Sequence, residues 1–507
     1  MQIEVIFSDK LKRDIPLIKG MSLYHTLQNE NIIISAPCAG RGTCGACKIQ
    51  LLEGSLLVTE KDKMLLTDEE LKNGWRLACQ AYPEQPCKIF VPTEVFTAVT
   101  EYPETNKNIP EDTDYAIAID LGTTTLAYEL FSMESGKTCR VLSSTNPQRS
   151  YGADVVSRME QSNNGRKALL KQILIQGMQK DISLLTKDIN PESLKKIGIS
   201  GNTVMVHLLM GYSCETLGRY PFSPVTLDRI DTDAEELGLL SRPVPVSISP
   251  GISAYVGGDV LIGAAVQAVI YEKNPCLFLD LGTNAEMMLT DGAGKAYVTS
   301  APAGPAFEAA NISCGVGSVD GAVSGMTIEN GEIKTKTIQG KAPVGFCGSG
   351  ILEAVYELLK NNLVDETGML ADSYFEKGYP VGKLRITQND IRQIQLAKSA
   401  VFSAIRILLK EADISAEEIQ KVYLAGGFGY FLNIEKAIGI GLLPRELKGK
   451  TETIGNASLR GTKAYLTGSL TDKEIYDLRI SSEEKYLSQD ADFQAYFIEN
   501  LNFDKNL

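Results

Sequence analysis

The chain has 507 residues, with 50 basic and 63 acidic side chains and a formal net charge of −13. This length predicts about two to four domains with ample core. The acidic balance disfavours a nucleic-acid partner, because nucleic-acid-binding surfaces are basic. No apolar run approaches the roughly 20 residues that span a bilayer, and residues 1–5 lack a signal-peptide pattern, so we expect a cytoplasmic protein with no membrane partner.

The N-terminal part of the chain predicts two strands, a helix and a third strand. Residues 3–7 alternate apolar and polar side chains, and residues 14–18 follow after a short turn, so both segments predict strands. Ser22 is a candidate N-cap for a helix over residues 23–30. Residues 48–52 predict the next strand, and the segment before it is a loop rich in cysteine and glycine.

Three of the ten cysteines of the chain lie in that loop with the spacing C-x5-C-x2-C, and a fourth candidate follows after 31 intervening residues. An iron–sulfur cluster is held by four thiolates. Glycines between the thiols permit unusual φ angles and a close approach of backbone amides to the cluster. The pattern therefore predicts a [2Fe–2S] cluster with the ligands Cys38, Cys44, Cys47 and Cys79.

Alternatives remain open for this site. A zinc site would show two C-x2-C pairs about 15–20 residues apart, and this chain has only one such pair. Cys87 is an alternative fourth ligand. Trp75, the single tryptophan, either shields the cluster from water or belongs to the core.

The order strand, strand, helix, metal loop, strand resembles that of a β-grasp ferredoxin, and the x5 gap resembles the adrenodoxin-like variant. The resemblance implies a [2Fe–2S] ferredoxin domain over residues 1–100. Residues 101–114 contain two prolines and few apolar side chains. This composition predicts an exposed linker that lets the ferredoxin domain move.

Two apolar strands, 160 residues apart, each end in the same kind of motif, D-x-G-T. The glycine lets backbone N–H groups approach a phosphate, the hydroxyls add donors, and the aspartates can hold Mg²⁺, usually through water. One such motif fits any hairpin, but two at this separation predict a duplicated fold that clamps one nucleotide between two lobes. The candidate ATP contacts from the two motifs are Asp120, Gly122, Thr123, Thr124, Thr125, Asp280, Gly282, Thr283 and Asn284.

The paired motifs resemble those of the actin, sugar-kinase and heat-shock-chaperone superfamily of ATPases. The resemblance implies an acidic residue that opens a connecting helix before the second motif, and Asp259, before the small-residue segment 261–268, fits that place. Asp259 is thus the candidate for orienting the attacking water, although an N-cap role fits equally well. Together with Asp120 and Asp280 it forms the predicted catalytic set.

Two further glycine segments complete the predicted nucleotide site. The strand 422–425 runs into a double glycine that resembles the adenosine motif of the same superfamily. A C-G-S-G segment opens a helix over residues 351–360, and a helix N-terminus attracts anions. A simple tight turn is the alternative for the C-G-S-G segment. The residues concerned are Gly348, Ser349, Gly426, Gly427 and Phe428.

The combination of motifs resembles the reductive activators of corrinoid enzymes. The motifs are SGNT at 200–203, DLGTNAE at 280–286, AGPAFEAANISCG at 303–315, CGSG at 347–350 and AGGFG at 425–429. The resemblance implies ATP-dependent, one-electron reduction of a Co(II) corrinoid protein to Co(I), which rescues a methyltransferase system after oxidation. It also implies an upstream low-potential electron donor and allows a homodimer, although longer members carry an extra domain after the ferredoxin.

The predicted fold class is therefore α/β plus α+β: a β-grasp ferredoxin domain followed by a two-lobed, ribonuclease H-like ATPase. We expect the lobes at 115–275 and 276–466, and a helical tail at 467–507 that packs back on the body. Two other functions remain open. One is an ATP-driven electron donor to another metalloenzyme, and the other is a non-redox kinase or ATPase with a structural metal domain.

Overall fold

The computed structural model describes residues 2–7, 12–30, 32, 34, 36, 38, 40–42, 45, 47–92, 113–309, 311–430 and 432–504. The chain divides into two compact units. The first unit combines Met1–Phe96, Thr145–Gly177 and Leu208–Pro221, and the second combines Thr97–Ser144, Met178–His207 and Phe222–Leu507. In the described residues no helix is both long and apolar enough to cross a membrane. The predicted linker 101–114 lies outside the described residues, except for 113 and 114.

The N-terminal part of the first unit is a five-stranded sheet with the order β2-β1-β5-β3-β4. Strand β1 pairs antiparallel with β2 and parallel with β5. Ile3 and Val5 are buried in the core, as the alternating pattern predicts. The Ser22 side chain accepts from the backbone N–H of His25, which confirms the predicted N-cap. The elements are β1 (Gln2–Phe7), β2 (Lys12–Pro16), α1 (Leu23–Asn29), β3 (Lys48–Glu53), α2 (Glu60–Leu65), α3 (Asp68–Lys72), β4 (Trp75–Leu77) and β5 (Lys88–Val91).

The next part of the chain forms a six-stranded sheet with the order β10-β11-β9-β6-β7-β8. Its central strand β6 runs into the first D-x-G-T motif. This motif forms the turn that leads into β7, which pairs antiparallel with β6. The elements are β6 (Tyr115–Leu121), β7 (Thr125–Ser132), β8 (Thr138–Thr145), α4 (Val155–Gln161), α5 (Lys167–Leu185), β9 (Leu194–Gly201), α6 (Thr203–Met210), β10 (Ile230–Asp233) and β11 (Pro245–Ile248).

The C-terminal part repeats this arrangement in a sheet with the order β21-β20-β12-β13-β14-β22. Strand β12 pairs antiparallel with β13 and parallel with β20, as β6 pairs with β7 and β9. The elements are α7 (Gly258–Ala265), β12 (Cys276–Leu281), β13 (Ala285–Thr290), β14 (Ala296–Ala301), β15 (Ala322–Glu329), β16 (Glu332–Thr337), β17 (Gly345–Phe346), α8 (Gly348–Lys360), α9 (Asp372–Phe375), β18 (Tyr379–Val381), β19 (Leu384–Ile386), α10 (Gln388–Ala412), β20 (Lys421–Ala425), α11 (Gly427–Tyr430), α12 (Ile434–Gly439), β21 (Thr451–Gly455), α13 (Ala457–Leu466), α14 (Asp472–Ser481), β22 (Ser482–Glu484) and α15 (Ala491–Glu499).

The last segment of the chain packs on the second unit, as expected. The buried Lys398 of α10 donates through Nζ to the backbone oxygens of Asn500 at 2.5 Å and Asn502 at 2.7 Å. The segment is not wholly helical, because β22 adds a parallel edge strand to β14. The short sequence Ser-Glu-Glu carries no strand signal of its own, so only the exposed edge of β14 explains this strand.

Helices α7 and α13 cross closely in the second unit. An ideal Cβ at Gly461 would lie 2.4 Å from the backbone oxygen of Ile262, and one at Gly263 would lie 3.2 Å from the Cβ of Ala457. The absence of side chains at these two glycines therefore sets the helix separation. This crossing matters for function, because Asn456, the N-cap of α13, and Ser458, in its first turn, donate to the acidic centre described below.

We expect Gly461→Ala to destabilise the second unit by about 1–3 kcal/mol, because the added methyl group has no space at the helix crossing. Differential scanning calorimetry of the two purified proteins would measure the loss. Gly317→Ala is the control, since an ideal Cβ there meets nothing within 4 Å. Equal unfolding temperatures for G461A and G317A would contradict the close crossing.

Candidate functional site

The first candidate site is the thiol loop of the first unit. Cys38, Cys47 and Cys79 are buried, with 7%, 1% and 4% of their surfaces exposed. The Cys47 thiol is hydrogen-bonded to Cys79 and lowers the pKa of Cys79 to about 7, against the opposing effect of burial. The predicted ligand Cys44 lies outside the described residues. Three of the four predicted ligands are thus brought into one region, and one of them favours the thiolate that a cluster requires.

The glycines of this loop adopt backbone conformations that disfavour other residues. Gly40, Gly42 and Gly45 have φ angles of +84°, +70° and +69°. An ideal Cβ at Gly40 would lie 2.7 Å from the Tyr24 ring, and one at Gly42 would lie 2.6 Å from Gln80 Nε2. The loop therefore needs glycine both for its conformation and for close packing, which supports the sequence argument for a cluster-binding loop.

The contacts of Cys87, Cys79 and Trp75 bear on two alternatives at the thiol loop, namely the identity of the fourth ligand and the role of the tryptophan. Burial raises the pKa of Cys87 to about 11, so this thiol resists the ionisation that a ligand needs. The Gln80 side-chain amide donates to Cys79 Sγ at 3.6 Å, a contact typical of a tuned sulfur ligand. Trp75 packs edge-on against Phe90, with ring centroids 6.4 Å apart, and contacts the apolar core. These contacts favour Cys79 as the fourth ligand and a core role for Trp75.

The second candidate site is an acidic centre in the second unit, formed by Asp120, Asp259, Asp280 and Glu286. Asp120 lies on β6, Asp280 on β12, Glu286 on β13 and Asp259 at the start of α7. Two of the acids thus come from the two matching strands that precede the D-x-G-T hairpins. Duplication of the fold brings them together, as the paired motifs predicted.

Three of these carboxyl groups have pKa values that are raised by burial and by neighbouring carboxylates. Burial, and then the Asp120 carboxylate, raises the pKa of Asp259 to about 7. Burial, and then Asp259 and Asp120, raises the pKa of Asp280 to about 8. Burial, Asp259 and Asp280 also raise the pKa of Glu286 well above its ordinary value. Proximity of like charges in a poorly hydrated place is the cause of these shifts.

Among the described residues, the acidic centre has no lysine or arginine partner. In the described part of the chain, none of these four carboxylates takes part in a salt bridge. No three His, Cys, Asp or Glu side chains there converge closely enough to hold a metal ion directly. Mg²⁺ usually keeps several waters and uses only one or two carboxylates together with substrate phosphates. The donor set therefore fits a hydrated Mg²⁺ that arrives with a nucleotide.

Asp120 receives two hydrogen bonds from the beginning of α13. Asn456 Nδ2 donates to Oδ2 at 2.7 Å, and Ser458 Oγ donates to Oδ1 at 2.8 Å. Ser458 also contacts the hydroxyl of Ser200 at 2.6 Å. Ser200 opens the SGNT segment, so these bonds join that motif to the first hairpin.

The two hairpins meet through their hydroxyls. Thr124 Oγ1 and Thr283 Oγ1 lie 2.9 Å apart, and both donate to the carboxylate of Glu308, at 2.9 and 3.1 Å. A phosphate has the same acceptor chemistry as this carboxylate. The hydroxyl pair is therefore suited to bind a phosphate oxygen when Glu308 moves aside.

Of the remaining predicted nucleotide contacts, Gly426 lies beside the acidic centre, whereas Phe428, Gly348 and Ser349 contact other residues. An ideal Cβ at Gly426, which has a φ of +91°, would lie 2.7 Å from Asp280 Oδ1. Phe428 stacks on Phe307 with ring centroids 4.7 Å apart. Gly348, at the start of α8, packs against the Phe307 backbone, and the buried Ser349 donates to the Ser324 carbonyl oxygen at 3.2 Å. The Ser349 hydroxyl is thus engaged inside the protein.

The other hairpin residues have local roles. An ideal Cβ at Gly122 would lie 2.3 Å from the Thr125 carbonyl oxygen, so this turn requires glycine. Gly282 N–H donates to the Asn284 carbonyl oxygen at 2.9 Å, which closes the second turn. Thr123 is a half-buried turn residue, and Gly427 is exposed.

Four residues in or beside the acidic centre and its two hairpins were not among the predicted contacts: Glu286, Glu308, Asn456 and Ser458. Glu286 and Glu308 stood inside quoted motifs, but only the packing of β13 and of the segment after β14 brings them to the hairpins. Asn456 carries a detectable signal, because Asn-Ala-Ser before an amphipathic segment is an N-cap pattern. Its side chain does accept from the Leu459 backbone N–H at 2.8 Å.

Comparison with protein families assigns almost every part of the chain. Residues 115–272 match the RACo middle region, and residues 274–506 match the C-terminal domain of RACo, the ASKHA domain. The chain belongs to the RACo family. Residues 6–84 match the 2Fe-2S iron-sulfur cluster binding domain, so this RACo-family chain joins a [2Fe–2S] ferredoxin domain to an ASKHA domain, as its sequence predicted.

Three proteins similar to this RACo-family chain have names that refer to the activation or reduction of corrinoid proteins. The corrinoid activation enzyme RamQ of Eubacterium limosum is 30% identical over 389 residues, which cover 71% of this chain and 65% of RamQ. The [Co(II) methylated amine-specific corrinoid protein] reductase of Methanosarcina barkeri is 23% identical over 77% of each chain. The solved structure of a reductive activator for corrinoid,iron-sulfur protein matches 99% of this chain and 98% of its own, with 25% identity and a TM-score of 0.71.

Replacing Cys79 by Ser should remove the visible absorption and most of the iron of the anaerobically reconstituted protein, because a cluster needs four thiolates. Cys87→Ser is the matched control and should retain both. Iron analysis and the absorption spectrum measure the difference. A colourless C87S protein beside a coloured C79S protein would show that the ligand assignment is wrong.

Replacing Asp280 by Asn should stabilise the nucleotide-free protein at pH 8. The folded pKa of Asp280, about 8, is raised from an ordinary value of 3.8, so its stabilising contribution is complete below the ordinary value and is lost as the pH rises towards 8. The unfolding temperature of D280N should therefore exceed that of the wild type increasingly from pH 5 to pH 8. Each kcal/mol corresponds to about 2–4 °C.

Glu332→Gln is the control for this experiment, because Glu332 is an exposed carboxylate on β16. Its removal should leave the unfolding temperature within error at both pH values. A D280N protein that is less stable than the wild type at pH 8 would contradict the electrostatic repulsion at the acidic centre.

Proposed function

We propose that this chain is an ATP-dependent reductive activator that reduces the Co(II) centre of a corrinoid protein to Co(I) for methyl transfer. The observation that carries the proposal is the union, in one RACo-family chain, of a [2Fe–2S] domain with an ASKHA domain. The names of two relatives, a corrinoid activation enzyme and a Co(II) corrinoid protein reductase, support the choice of substrate.

The thiol loop is the proposed electron donor. A [2Fe–2S] cluster, when bound, supplies one electron at a potential near about −400 mV in plant-type ferredoxins. Cys38, Cys44, Cys47 and Cys79 would hold it, and the burial of Cys38, Cys47 and Cys79 would limit its exposure to water. Co(I) formation in such systems lies at still lower potential, and each ~59 mV of deficit costs about 1.4 kcal/mol for one electron. This deficit is the physical reason for coupling the transfer to ATP.

The acidic centre is the proposed site of ATP turnover. Thr124 and Thr283 would bind phosphate oxygens that replace the Glu308 carboxylate. Asp120 and Asp280 would hold hydrated Mg²⁺, and this cation would offset the repulsion from Asp259 and Asp120 that raises the pKa of Asp280. Asp259, with a pKa of about 7, would orient or deprotonate the attacking water near neutral pH.

The other predicted contacts complete this proposal. Gly122, Thr123, Thr125, Gly282 and Asn284 would shape the two phosphate hairpins. Gly348, Ser349, Gly426, Gly427 and Phe428 would shape the adenosine side, although Ser349 would need to leave its bond to the Ser324 backbone. We assign the first ATPase lobe to residues 115–275 and the second to 276–466, followed by the tail 467–507.

The proposal includes partners of stated chemistry. The protein would act in the cytoplasm between an upstream low-potential electron donor and a corrinoid protein of a methyltransferase system. No nucleic-acid or membrane partner is invoked, and a homodimer is compatible with the proposal. ATP binding or hydrolysis would favour the complex in which the electron moves to cobalt.

An anaerobic assay tests the proposed function. Reduced protein, Mg-ATP and a Co(II) corrinoid protein are mixed, and the Co(II) and Co(I) absorption bands are followed. We expect Co(I) to accumulate only with Mg-ATP. Asp280→Asn should slow the ATP-dependent reaction by about 100-fold, a typical cost of losing an electrostatic catalytic group, while the cluster spectrum is unchanged.

Glu332→Gln again serves as the control and should match the wild-type rate. Absence of ATP-dependent Co(I) formation with every corrinoid protein supplied would overturn the proposal. ATP-dependent reduction of a different metalloenzyme in the same assay would instead support the alternative of a general low-potential donor.

A further inference from the structure

The cluster loop of the first unit contacts a segment more than 100 residues away in the chain. This segment, residues 146–166, comprises a short 3₁₀ turn, α4 and the kink that precedes α5. Tyr24 Oη donates to the Ser150 carbonyl oxygen at 2.5 Å, and Gln28 Nε2 donates to the same oxygen at 3.2 Å. We call this region the docking segment.

Tyr24 connects the docking segment to both parts of the chain that carry the proposed ligands. Its ring is fully buried and lies against Gly40, two residues after Cys38. Its backbone N–H donates to the Ala78 carbonyl oxygen at 3.0 Å, next to Cys79. Tyr24 thus contacts Ser150, Gly40 and Ala78, and these three contacts fix the position of the cluster loop relative to the docking segment.

Arg41 makes a second connection between the same two regions. Its side-chain Nε and its backbone N–H both donate to the Cys38 carbonyl oxygen, each at 3.1 Å. A terminal nitrogen of the guanidinium donates to Ser157 Oγ of α4 at 3.3 Å. The positive charge of Arg41 is therefore held beside a ligand residue by a hydroxyl of the docking segment.

A second arginine adds positive charge at this contact. The Arg166 guanidinium donates to Gln161 at 2.5 Å and lies close enough to Tyr24 to oppose the rise in the pKa of this phenol that burial causes. Glu160 lies 4.0 Å from Arg41, but both side chains are more than half exposed, so water screens this ion pair. The contact thus holds the Arg41 guanidinium beside Cys38 and brings the Arg166 guanidinium near Tyr24.

A positive charge near an iron–sulfur cluster changes the reduction potential of the cluster. Reduction adds one negative charge, so a nearby cation stabilises the reduced form and raises the potential. Hydrogen bonding and solvent exposure act on the same quantity. Loss of the contact would release the Arg41 guanidinium from Ser157 and withdraw Arg166, so the cluster would become harder to reduce and a stronger electron donor.

We propose that Tyr24 and Arg41 are positioning residues that hold the cluster loop on the docking segment and thereby raise the reduction potential of the cluster. The docked form accepts an electron from the low-potential donor, and release of the contact increases the driving force for passing it on. The second statement rests on the proposed function, whereas the first concerns only the cluster.

The test is an anaerobic redox titration of the full-length, cluster-loaded protein, followed by visible and electron paramagnetic resonance spectroscopy. Tyr24→Phe keeps the ring on Gly40 and removes only the bond to Ser150. Arg41→Gln removes the charge. Each variant should lower the ratio of reduced to oxidised cluster at a fixed poise by about threefold or more, where tenfold corresponds to ~59 mV.

The decisive variant is Ser157→Ala, because it changes the docking segment and leaves the ferredoxin domain intact. It should shift the potential in the same direction as Arg41→Gln, and the double variant should shift it no further than the larger single change. Tyr82→Phe and Lys12→Gln are controls on an exposed tyrosine and an exposed cation of the same domain, and neither should shift the potential.

Iron content and the oxidised spectrum verify that each variant holds an intact cluster. Unchanged potentials for S157A and Y24F, or shifts to higher potential, would overturn the proposal. Because the readout is a potential, its failure is distinct from a failure of Co(I) formation in the activity assay.

Discussion

The mutual repulsion of four carboxylates is the constraint on which the second unit depends. Asp120, Asp259, Asp280 and Glu286 come from three strands and the start of a helix. Burial raises all four of their pKa values, and neighbouring carboxylates raise those of Asp259, Asp280 and Glu286 further. Such a group of acids lowers the stability of the ligand-free fold. In the proposed function, the same charges would attract a hydrated divalent cation, and this cation would carry the phosphates of the nucleotide.

The two hairpins show how the fold supports this centre before a ligand arrives. Thr124 and Thr283 face each other and share the carboxylate of Glu308, so the hydroxyls have an acceptor inside the protein. The Asp120 carboxylate likewise has partners inside the protein, because Asn456 and Ser458 donate hydrogen bonds to it. These bonds keep the hairpins in register, and a phosphate would exchange one acceptor for another of similar chemistry.

The thiol loop resembles the acidic centre in one respect: it also gathers ionisable acids, here thiols, in a buried place. Thiolates are brought together in a buried place, and the hydrogen bond from Cys47 lowers the pKa of Cys79. Glycines with positive φ let the loop pack against Tyr24 and Gln80 without a side chain in the way. Both sites gather acidic side chains whose charge a cluster or a hydrated Mg²⁺ would neutralise in the proposed function, and neighbouring polar side chains hold the arrangement.

The sequence alone determined the elements whose signals are local. Thiol spacing with glycines indicated the cluster loop, and two apolar strands ending in D-x-G-T indicated a duplicated fold, because these patterns follow from ligand count and backbone geometry. Tertiary structure alone decided which distant groups meet: Glu308 with the two threonines, Asn456 with Asp120, Tyr24 with Ser150, and β22 with the edge of β14. These contacts depend on helix crossings and strand order that join residues up to several hundred positions apart, and no periodicity or spacing within one segment encodes them.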